Sequence, residues 1–347
     1  MSSSHSERSE ESAGRKLGVL LLGCGAASTI HSRTLRRLGG VDLYFASRDL
    51  RRAVDQRRRF DGQEAYGSYE LALANPRVDV AVVATPTATH RELALLALAA
   101  GKHVIVEKPA FMHAADADVV RRAAASVQRR VFVAENYYYK PIAEHLRRTI
   151  SSGDLGEIRF VTLNATKRQQ LGGWRDDPSL SGGGALFEGG VHWVSFAANI
   201  GLEVLDVCGH AVGACDGPDR SSLVVFRYAN GAVGTLAHSW EIAAPFGGLR
   251  LSKVQGTRGA VTFESNGLAW VTTGRRRSVN VAALSDPLGY RAMMRDFLDA
   301  LRTGRREGFT LAMAQRDLAL LEESLTREEV NQPHAYARGW RGATTGR

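Results

Sequence analysis

The stretch LGVLLLGCGAAS, residues 17–28, decides the fold of this chain. Its first six residues form a continuous apolar run, which is typical of a strand that a parallel sheet buries on both faces. The loop that follows has the spacing G-x-G-x-x-S, a variant of the dinucleotide fingerprint, and a helix is predicted directly after it over residues 28–38. This order of strand, glycine loop and helix favours a dinucleotide site over an ordinary tight turn.

Each small residue of the glycine loop has a physical reason. Gly23 permits the tight turn, Gly25 lets the backbone approach a pyrophosphate, and Ser28 is small enough for the helix to pack against the strand. The unpaired N–H groups at the start of the helix would face the phosphates, because a helix N-terminus attracts anions. The residues predicted to bind the cofactor here are Gly23, Gly25, Ala26, Ala27 and Ser28.

Strands and helices alternate through the first third of the chain, which predicts a doubly wound α/β domain with a parallel sheet, a Rossmann domain, over residues 16–136. A polar tail over residues 1–15 precedes it and is expected to be disordered. The predicted strands after the first cover 41–46, 78–84, 103–106 and 130–134, and the helices after the first cover 50–59, 91–100 and 114–126.

From about Tyr137 the pattern changes to strands in succession, joined by turns such as Asn230-Gly231, which predicts an antiparallel sheet in a second domain over residues 137–330. Residues 331–347 are expected to form a loose basic tail. The predicted strands cover 158–165, 204–208, 223–228, 233–239, 249–254, 260–263, 268–272 and 278–283, and the helices cover 142–152, 291–303 and 311–325.

Composition narrows the class of protein. A chain of 347 residues with 44% hydrophobic and 23% charged residues predicts two globular domains rather than disorder, and no apolar run approaches the roughly 20 residues of a membrane span. Three cysteines, Cys24, Cys208 and Cys215, without a secretory signal or a metal-ligand pattern, predict a reduced, cytoplasmic protein with no metal site. The net charge of +9 includes arginine runs, but no aromatic residues interleave them, so nucleic-acid binding is not predicted.

The end of the second strand bears on which dinucleotide binds. An NAD site usually has a carboxylate about 20 residues after the loop, where it holds the ribose 2′-hydroxyl. Here Ser47 and Arg48 occupy that place, Arg52 follows, and Asp49 comes slightly late. A hydroxyl and guanidinium groups suit a 2′-phosphate, so NADP is favoured and NAD stays possible. The alternative is that these arginines belong to a solvent-facing helix.

Two further motifs extend the pattern. TPTATH at residues 85–90 precedes GKHV at 101–104 and EKP at 107–109, and GGGALFEGGVH covers residues 182–192. With the glycine loop, these motifs resemble the Gfo/Idh/MocA oxidoreductase family, named for glucose-fructose oxidoreductase and inositol dehydrogenase. The resemblance runs from Gly18 to about Leu325.

The resemblance implies a Rossmann domain followed by an α/β domain with an open, largely antiparallel sheet, which members pair into homodimers or homotetramers. It implies an enzyme that oxidises or reduces a ring carbon of a sugar, cyclitol or related small molecule with NAD(P). Lys108 corresponds to the family's lysine beside nicotinamide and substrate, and His192 to its catalytic acid/base. The positions that match its cofactor groove are Thr85, Pro86, His90, Glu107, Lys108, Asn136, Trp174, Arg175 and Tyr290.

The chain departs from the family pattern at Glu188, where the usual residue is Asp. Glu188 and His192 have i, i+4 spacing on a predicted helix, which favours one shared face where the carboxylate could orient the histidine or hold a neighbouring hydroxyl of the substrate. Histidine suits proton exchange near neutral pH, and Lys108 could polarise a carbonyl or alkoxide. Glycine costs a helix about 1 kcal/mol relative to alanine. Gly189 and Gly190 therefore suggest that something approaches the backbone closely, and a cofactor or substrate is a good candidate. The alternative is that residues 182–190 form a flexible loop and His192 is a core residue.

Two other functions stay open at the level of sequence. Redox-assisted glycosidase chemistry would use a tightly bound NAD(P) to oxidise the ring transiently and eliminate a substituent. A non-enzymatic, dinucleotide-dependent sensor would bind cofactor without turnover. Both use the same fold, and the fold alone does not decide between them and a dehydrogenase.

Overall fold

The structure is a computed structural model that describes residues 15–170, 172–213, 218–243, 249–275 and 277–326. The predicted tails, apart from Arg15, lie outside the described residues, as do Cys215 and Arg276. Among the described residues no helix combines the length and the apolar composition that crossing a membrane requires.

The first sheet has six parallel strands in the order β3-β2-β1-β4-β5-β6, the doubly wound arrangement that the alternating pattern predicted. Its strands are β1 Leu17–Leu22, β2 Val41–Ala46, β3 Ala65–Tyr66, β4 Val80–Val83, β5 His103–Glu107 and β6 Val131–Ala134. The helices of this part are α1 Ala26–Leu38, α2 Leu50–Arg59, α3 Tyr69–Leu73, α4 His90–Ala99 and α5 Asp116–Ser126, with a 3₁₀ turn at Thr87–Thr89. Continuous apolar strands form because helices cover both faces of the sheet.

The parallel order brings the carboxyl ends of these strands to one edge. That edge is where open α/β sheets bind their ligands. The glycine loop follows β1, Ser47 follows β2, Thr85 comes shortly after β4, Lys108 follows β5 and Glu135 follows β6. Five segments that are far apart in sequence therefore meet along one line.

The second sheet has eight strands in the order β14-β13-β12-β11-β7-β10-β9-β8. Among these, β7 and β10 are parallel and the other neighbours are antiparallel. The sheet is open, since β14 and β8 are its edges, and the predicted largely antiparallel architecture is confirmed. Its strands are β7 Ile158–Thr166, β8 Val204–Ala211, β9 Ser221–Tyr228, β10 Val233–Ser239, β11 Leu251–Gly256, β12 Ala260–Glu264, β13 Ala269–Thr273 and β14 Ser278–Val281.

Helices of the second half connect the two sheets. They are α6 Pro141–Ser151, α7 Pro178–Ser181, α8 Val191–Ala198, α9 Tyr290–Thr303 and α10 Leu311–Thr326, with 3₁₀ turns at Asn136–Tyr139 and Gly173–Asp176 and a π-helical turn at Leu186–Gly190 before α8. In α9, Met293 and Phe297 are fully buried in the core of the first sheet, and the Phe297 ring lies 4.9 Å from that of Phe132. A helix near the end of the described chain thus covers a face of the first sheet.

Candidate active site

A groove of about 550 Å³ follows the carboxyl edge of the first sheet. Two of the residues predicted for cofactor binding do not line it. Ser28 is fully buried, which fits its role in packing helix against strand, and Asn136 lines a neighbouring cavity while its amide donates to the Leu288 carbonyl at 2.7 Å. The predicted residues that do line the groove are Gly23, Gly25, Ala26, Ala27, Ser47, Arg48, Arg52, Thr85, Pro86, His90, Glu107, Lys108, Trp174, Arg175 and Tyr290.

The glycine loop fits a dinucleotide phosphate. Gly23 has φ +92°, and a Cβ there would lie 2.6 Å from the Ala84 carbonyl oxygen, so this position requires glycine. A Cβ on Gly25 would meet no protein atom within 4 Å, so the open space above Gly25 belongs to the groove. Helix α1 begins at Ala26 without a side-chain cap, which leaves backbone N–H groups of its first turn for an anion.

The far end of the groove is built by the loop after β2. Ser47 is 7% exposed and its Oγ accepts a hydrogen bond from the Asp49 N–H at 3.2 Å, so the hydroxyl hydrogen remains for a ligand. The Asp49 carboxylate caps α2 by accepting from the Arg51 N–H at 3.0 Å. Arg48 and Arg52 are exposed and line the groove. This end therefore presents one hydroxyl, two guanidinium groups and the Asp49 carboxylate, which lies 3.8 Å from Arg52 Nε.

Cys24 and His90 have structural surroundings within the groove. Burial raises the pKa of the Cys24 thiol to about 12, so it is not a nucleophile. His90 is 1% exposed, and its Nδ1 and Nε2 each lie 2.9 Å from a backbone oxygen, of Pro109 and Thr85 respectively. His90 thereby ties the loop after β4 to the EKP loop.

Glu107 is held in the ionised form beneath the groove. Burial alone would raise its pKa, but the charge and hydrogen bond of His31 and the charge of Lys108 lower the pKa of Glu107 to about 2. Its carboxylate pairs with the His31 ring from α1 and accepts the Lys108 N–H at 3.0 Å. Sequence reasoning missed His31, although a histidine on the buried face of α1 was a signal.

A second cavity, of about 700 Å³, adjoins the groove and extends along the inner side of the second sheet. Five of the described residues line both spaces, and we call them the junction residues: Lys108, Arg175, Glu188, His192 and Tyr290. The groove suits a long, phosphorylated ligand and the cavity a small polar one. The junction residues lie where the two ligands would touch.

His192 is the one partly exposed residue of helix α8. The other residues of α8 are buried, whereas His192 is partly exposed and lines the cavity. Its Nδ1 lies 2.8 and 3.0 Å from the two carboxylate oxygens of Glu135, so Nδ1 is the protonated nitrogen and donates. Burial lowers the pKa of His192, against the opposing charge of Glu135. The imidazole is therefore neutral near pH 7, and Nε2, which bonds to none of the described residues, can accept a proton.

Tyr137 holds the other side of the imidazole. Its ring stacks on that of His192, with centroids 4.4 Å apart and planes at 11°. The ammonium of Lys140 lies 3.3 Å from the Tyr137 centroid on a side chain that is 1% exposed, and burial lowers the pKa of Lys140 to about 7. Sequence reasoning missed Glu135, and its signal was its place directly after a parallel strand.

Glu188 takes a different partner from the predicted one. Its carboxylate accepts from Arg175 Nε at 2.9 Å, and its backbone oxygen accepts from Lys108 Nζ at 2.9 Å. Burial would raise the pKa of Glu188, but Lys108 and Arg175 lower it, so the carboxylate is ionised. The π-helical turn separates Glu188 from α8, and the carboxylate that orients His192 is Glu135.

The two glycines before α8 are explained by the protein itself. A Cβ on Gly189 would lie 2.9 Å from the Trp240 ring, and one on Gly190 would lie 2.5 Å from a methyl carbon of Leu186. The close approach that these glycines predicted is present, and side chains of the same chain make it, while Gly189 also lines the cavity. The larger volume of alanine would displace them.

Comparisons with known proteins agree with this geometry. The model of an oxidoreductase family with an NAD-binding Rossmann fold matches residues 17–135, and that of the GFO/IDH/MocA C-terminal domain matches residues 143–262. The human trans-1,2-dihydrobenzene-1,2-diol dehydrogenase is 30% identical over 237 residues, which cover 66% of this chain and 68% of the human protein. The mouse protein of the same name is 28% identical over 302 residues, which cover 80% of this chain and 86% of the mouse protein.

Among solved structures, GenD2 from gentamicin A biosynthesis, in complex with NAD, superimposes with a TM-score of 0.78 at 26% identity. The match covers 90% of this chain and 93% of GenD2.

Proposed function

Because the chain belongs to the GFO/IDH/MocA family of NAD(P)-dependent oxidoreductases, which act on CH–OH groups, we propose that it exchanges a hydride between NADP and a ring carbon of a sugar, cyclitol or related hydroxy or keto compound. The resemblance inferred from the sequence motifs is confirmed over both parts of the chain. One observation carries the proposal: the junction residues line the nucleotide groove and the adjoining polar cavity at once.

A bound nicotinamide dinucleotide would supply or accept the hydride. The residues of this chain would bind the cofactor, position the substrate and move the proton. The glycine loop and the uncapped start of α1 would hold the pyrophosphate. Trp174 and Tyr290 line the groove at its junction end. A ring held against the groove from the cavity side would have its reacting carbon at the junction, where positioning lowers the barrier.

His192 would move the proton. In the oxidative direction, neutral Nε2 accepts the hydroxyl proton of the substrate, and in the reductive direction it returns that proton to the new alkoxide. Glu135 keeps the proton of the free imidazole on Nδ1 and stabilises the imidazolium that forms during oxidation. Glu135 is in this proposal a positioning residue and His192 a catalytic one.

Lys108 would polarise the substrate oxygen. An ammonium has three hydrogens, and one of them is donated to the Glu188 carbonyl, which fixes the direction of the side chain. The others are available to a carbonyl or alkoxide oxygen in the cavity. A positioned cation in such a site commonly contributes a factor of about 10² to 10³ in rate. Glu188 would position Arg175 through their ion pair.

NADP preference is the finer part of the proposal. Ser47, Arg48 and Arg52 at the far end of the groove support it, since guanidinium groups pair well with a 2′-phosphate. Parallel calorimetric titrations with NADPH and NADH, after removal of any cofactor that co-purifies, test it. Tighter binding of NADPH is expected; tighter binding of NADH would contradict the preference.

A substrate panel tests the reaction. Sugars, glycosides, cyclitols, cyclic trans-diols and their keto forms are offered with both cofactors while nicotinamide absorbance is followed, and the aglycone released from the glycosides is assayed in parallel. Turnover with at least one ring compound is expected. Cofactor binding without turnover across the panel would reject the dehydrogenase, and aglycone release without net absorbance change would replace it by glycosidase chemistry.

We also propose a cytoplasmic homodimer or homotetramer formed through the second sheet. Its outward face exposes apolar side chains, including Phe160 at 59% and Leu251 at 51%, which supports burial against another copy. Cys24 and Cys208 are free, which suits a reducing compartment. Light scattering of the wild type and of Phe160→Lys tests the assembly; a monomeric wild type would contradict it.

A further inference from the structure

The cavity has an excess of positive charge, and part of it lies away from the nucleotide groove. Of the described residues that line it, Lys108, Lys167, Arg175 and Arg250 are cationic, whereas Glu188 is the one carboxylate. Lys167 and Arg250 do not line the nucleotide groove, so cofactor phosphates do not account for them. A charge imbalance of this kind in a concave site attracts a ligand of opposite sign.

Lys167 is the cation of this cavity whose ammonium has no partner among the described residues. It follows β7 directly, and no described carboxylate lies within salt-bridge distance of its ammonium, which also makes no hydrogen bond to a described residue. Partial burial and the charges of Arg250, Lys108 and Arg175 lower the pKa of Lys167, against the opposing charge of Glu188. The side chain is exposed where it lines the cavity, so its ammonium is available to a ligand there.

Arg250 and His238 complete this part of the cavity. Arg250 is 8% exposed, and its side chain donates to two neutral oxygens, the Thr166 carbonyl at 3.3 Å and the Asn266 amide oxygen at 2.8 Å. These bonds fix the guanidinium where it lines the cavity. His238 is 3% exposed and also lines the cavity, and its buried Nδ1 has no hydrogen-bond partner among the described residues. The cavity wall thus holds an imidazole and a guanidinium together with the Lys167 ammonium.

We propose that Lys167, Arg250 and His238 form an anion subsite, so that the substrate is a ring compound bearing an acidic oxygen group, a carboxylate or a phosphate, on the side remote from the reacting carbon. The two cations would bind the acidic group with charge-assisted hydrogen bonds. Lys108 and His192 would then meet the opposite part of the ring. The proposal rests on the proposed function for the reaction itself and adds the class of substrate.

Binding affinity tests the subsite separately from turnover. Protein saturated with NADPH, so that its nucleotide phosphate sites are filled, is titrated by calorimetry with D-glucose, D-glucuronate, D-glucose 6-phosphate and inorganic sulfate. At least one acidic ring is expected to bind ten times or more as tightly as D-glucose, a difference of about 1.4 kcal/mol. The glucuronate and phosphate arms identify which acid the subsite prefers.

Two variants assign the preference to the subsite. Lys167→Gln removes the charge of a side chain whose ammonium makes no hydrogen bond to the described residues, so it is expected to fold and to reduce the preference at least tenfold. Lys253→Gln removes the same charge outside the cavity lining and is expected to keep the preference. The variant Arg250→Lys, measured in the same titrations, tests whether the arginine also contributes to the preference for acidic rings.

The proposal is overturned if acidic and neutral rings bind equally, if no acidic ring shows binding that Lys167→Gln weakens, or if Lys253→Gln weakens it as much. Loss of NADPH binding or of turnover would instead count against the proposed function. The two failures are therefore distinguishable.

Discussion

The carboxylate of Glu135 lies 2.8 Å from Nδ1 of His192, which is 57 residues further along the chain. Glu135 directly follows a strand of the first sheet, and His192 is the second residue of the helix that follows the glycine-rich segment. The pair therefore joins the cofactor part of the molecule to the substrate part, and it leaves Nε2 of His192 for the substrate.

Replacing Glu135 by glutamine should show its positioning role in a pH profile. Glu135 raises the pKa of His192 against burial, so its removal lowers that pKa further. Oxidation requires the neutral imidazole, so the acid limb of kcat/KM should move to lower pH, while the rate at pH 7 falls about 10²-fold because the base is weaker and its tautomer is no longer fixed. Glu144→Gln, on the exposed side of α6, is the control. An unmoved acid limb would contradict the role.

Substitutions at two glycines of the glycine loop should affect different properties, cofactor affinity at Gly25 and stability at Gly23. Gly25→Val places its side chain in open space, so the melting temperature should stay near that of the wild type while NADPH affinity falls at least about tenfold, since the pyrophosphate loses its space. Gly23→Ala introduces strain at φ +92° and a 2.6 Å contact with the Ala84 oxygen, and should cost roughly 1–3 kcal/mol of stability. Calorimetry and thermal unfolding of both variants decide; unchanged affinity in Gly25→Val would place the phosphates elsewhere.

The arginines after β2 should separate the two cofactors. The double variant Arg48→Ala with Arg52→Ala should lose about tenfold or more in NADPH affinity, because a 2′-phosphate loses its charged partners, while NADH affinity changes little. The control is Arg51→Ala. Arg51 is an exposed arginine of α2 that does not line the groove, so its removal should leave the ratio of NADPH affinity to NADH affinity unchanged. Equal losses for both cofactors would argue against 2′-phosphate recognition.

The aromatic ring of Tyr137, and not its hydroxyl group, should support catalysis through its stacking on His192. Aromatic pairs contribute roughly 0.5–1.5 kcal/mol beyond burial, so Tyr137→Leu should lower kcat/KM by up to about tenfold as the imidazole loses its orientation. Tyr137→Phe keeps the stacked ring and should stay within about threefold of the wild type. Steady-state kinetics at the pH optimum measures both. A larger loss in the phenylalanine variant would assign the role to the hydroxyl group.

Local pattern predicted much of the fold. The strands Val41–Ala46 and Val233–Ser239 and the helix Leu50–Arg59 have the predicted bounds, because each is a short apolar run or an amphipathic stretch between turn signals. Ala65–Tyr66 and Tyr69–Leu73 were not predicted, since two to five residues are too few for a periodic pattern.

The site was predictable where a motif keeps its residues adjacent. The glycine loop and Lys108 line the groove as their spacing indicates. Pairings across long separations were not predictable: Lys108 meets the Glu188 carbonyl 80 residues away, and the Glu135 carboxylate reaches His192. A local i, i+4 rule instead joined Glu188 to His192, and it failed because a π-helical turn precedes α8.

A single-turnover experiment on His192→Asn tests the central claim most directly. Wild-type protein and the variant are loaded with NADP and mixed with the best substrate of the panel, and the rise of nicotinamide absorbance is followed. Equal cofactor affinity with a rate reduced about 10²- to 10⁴-fold in the variant is the predicted result, since His192 would accept the hydroxyl proton. An unchanged single-turnover rate in His192→Asn would contradict the claim that proton transfer occurs at the junction.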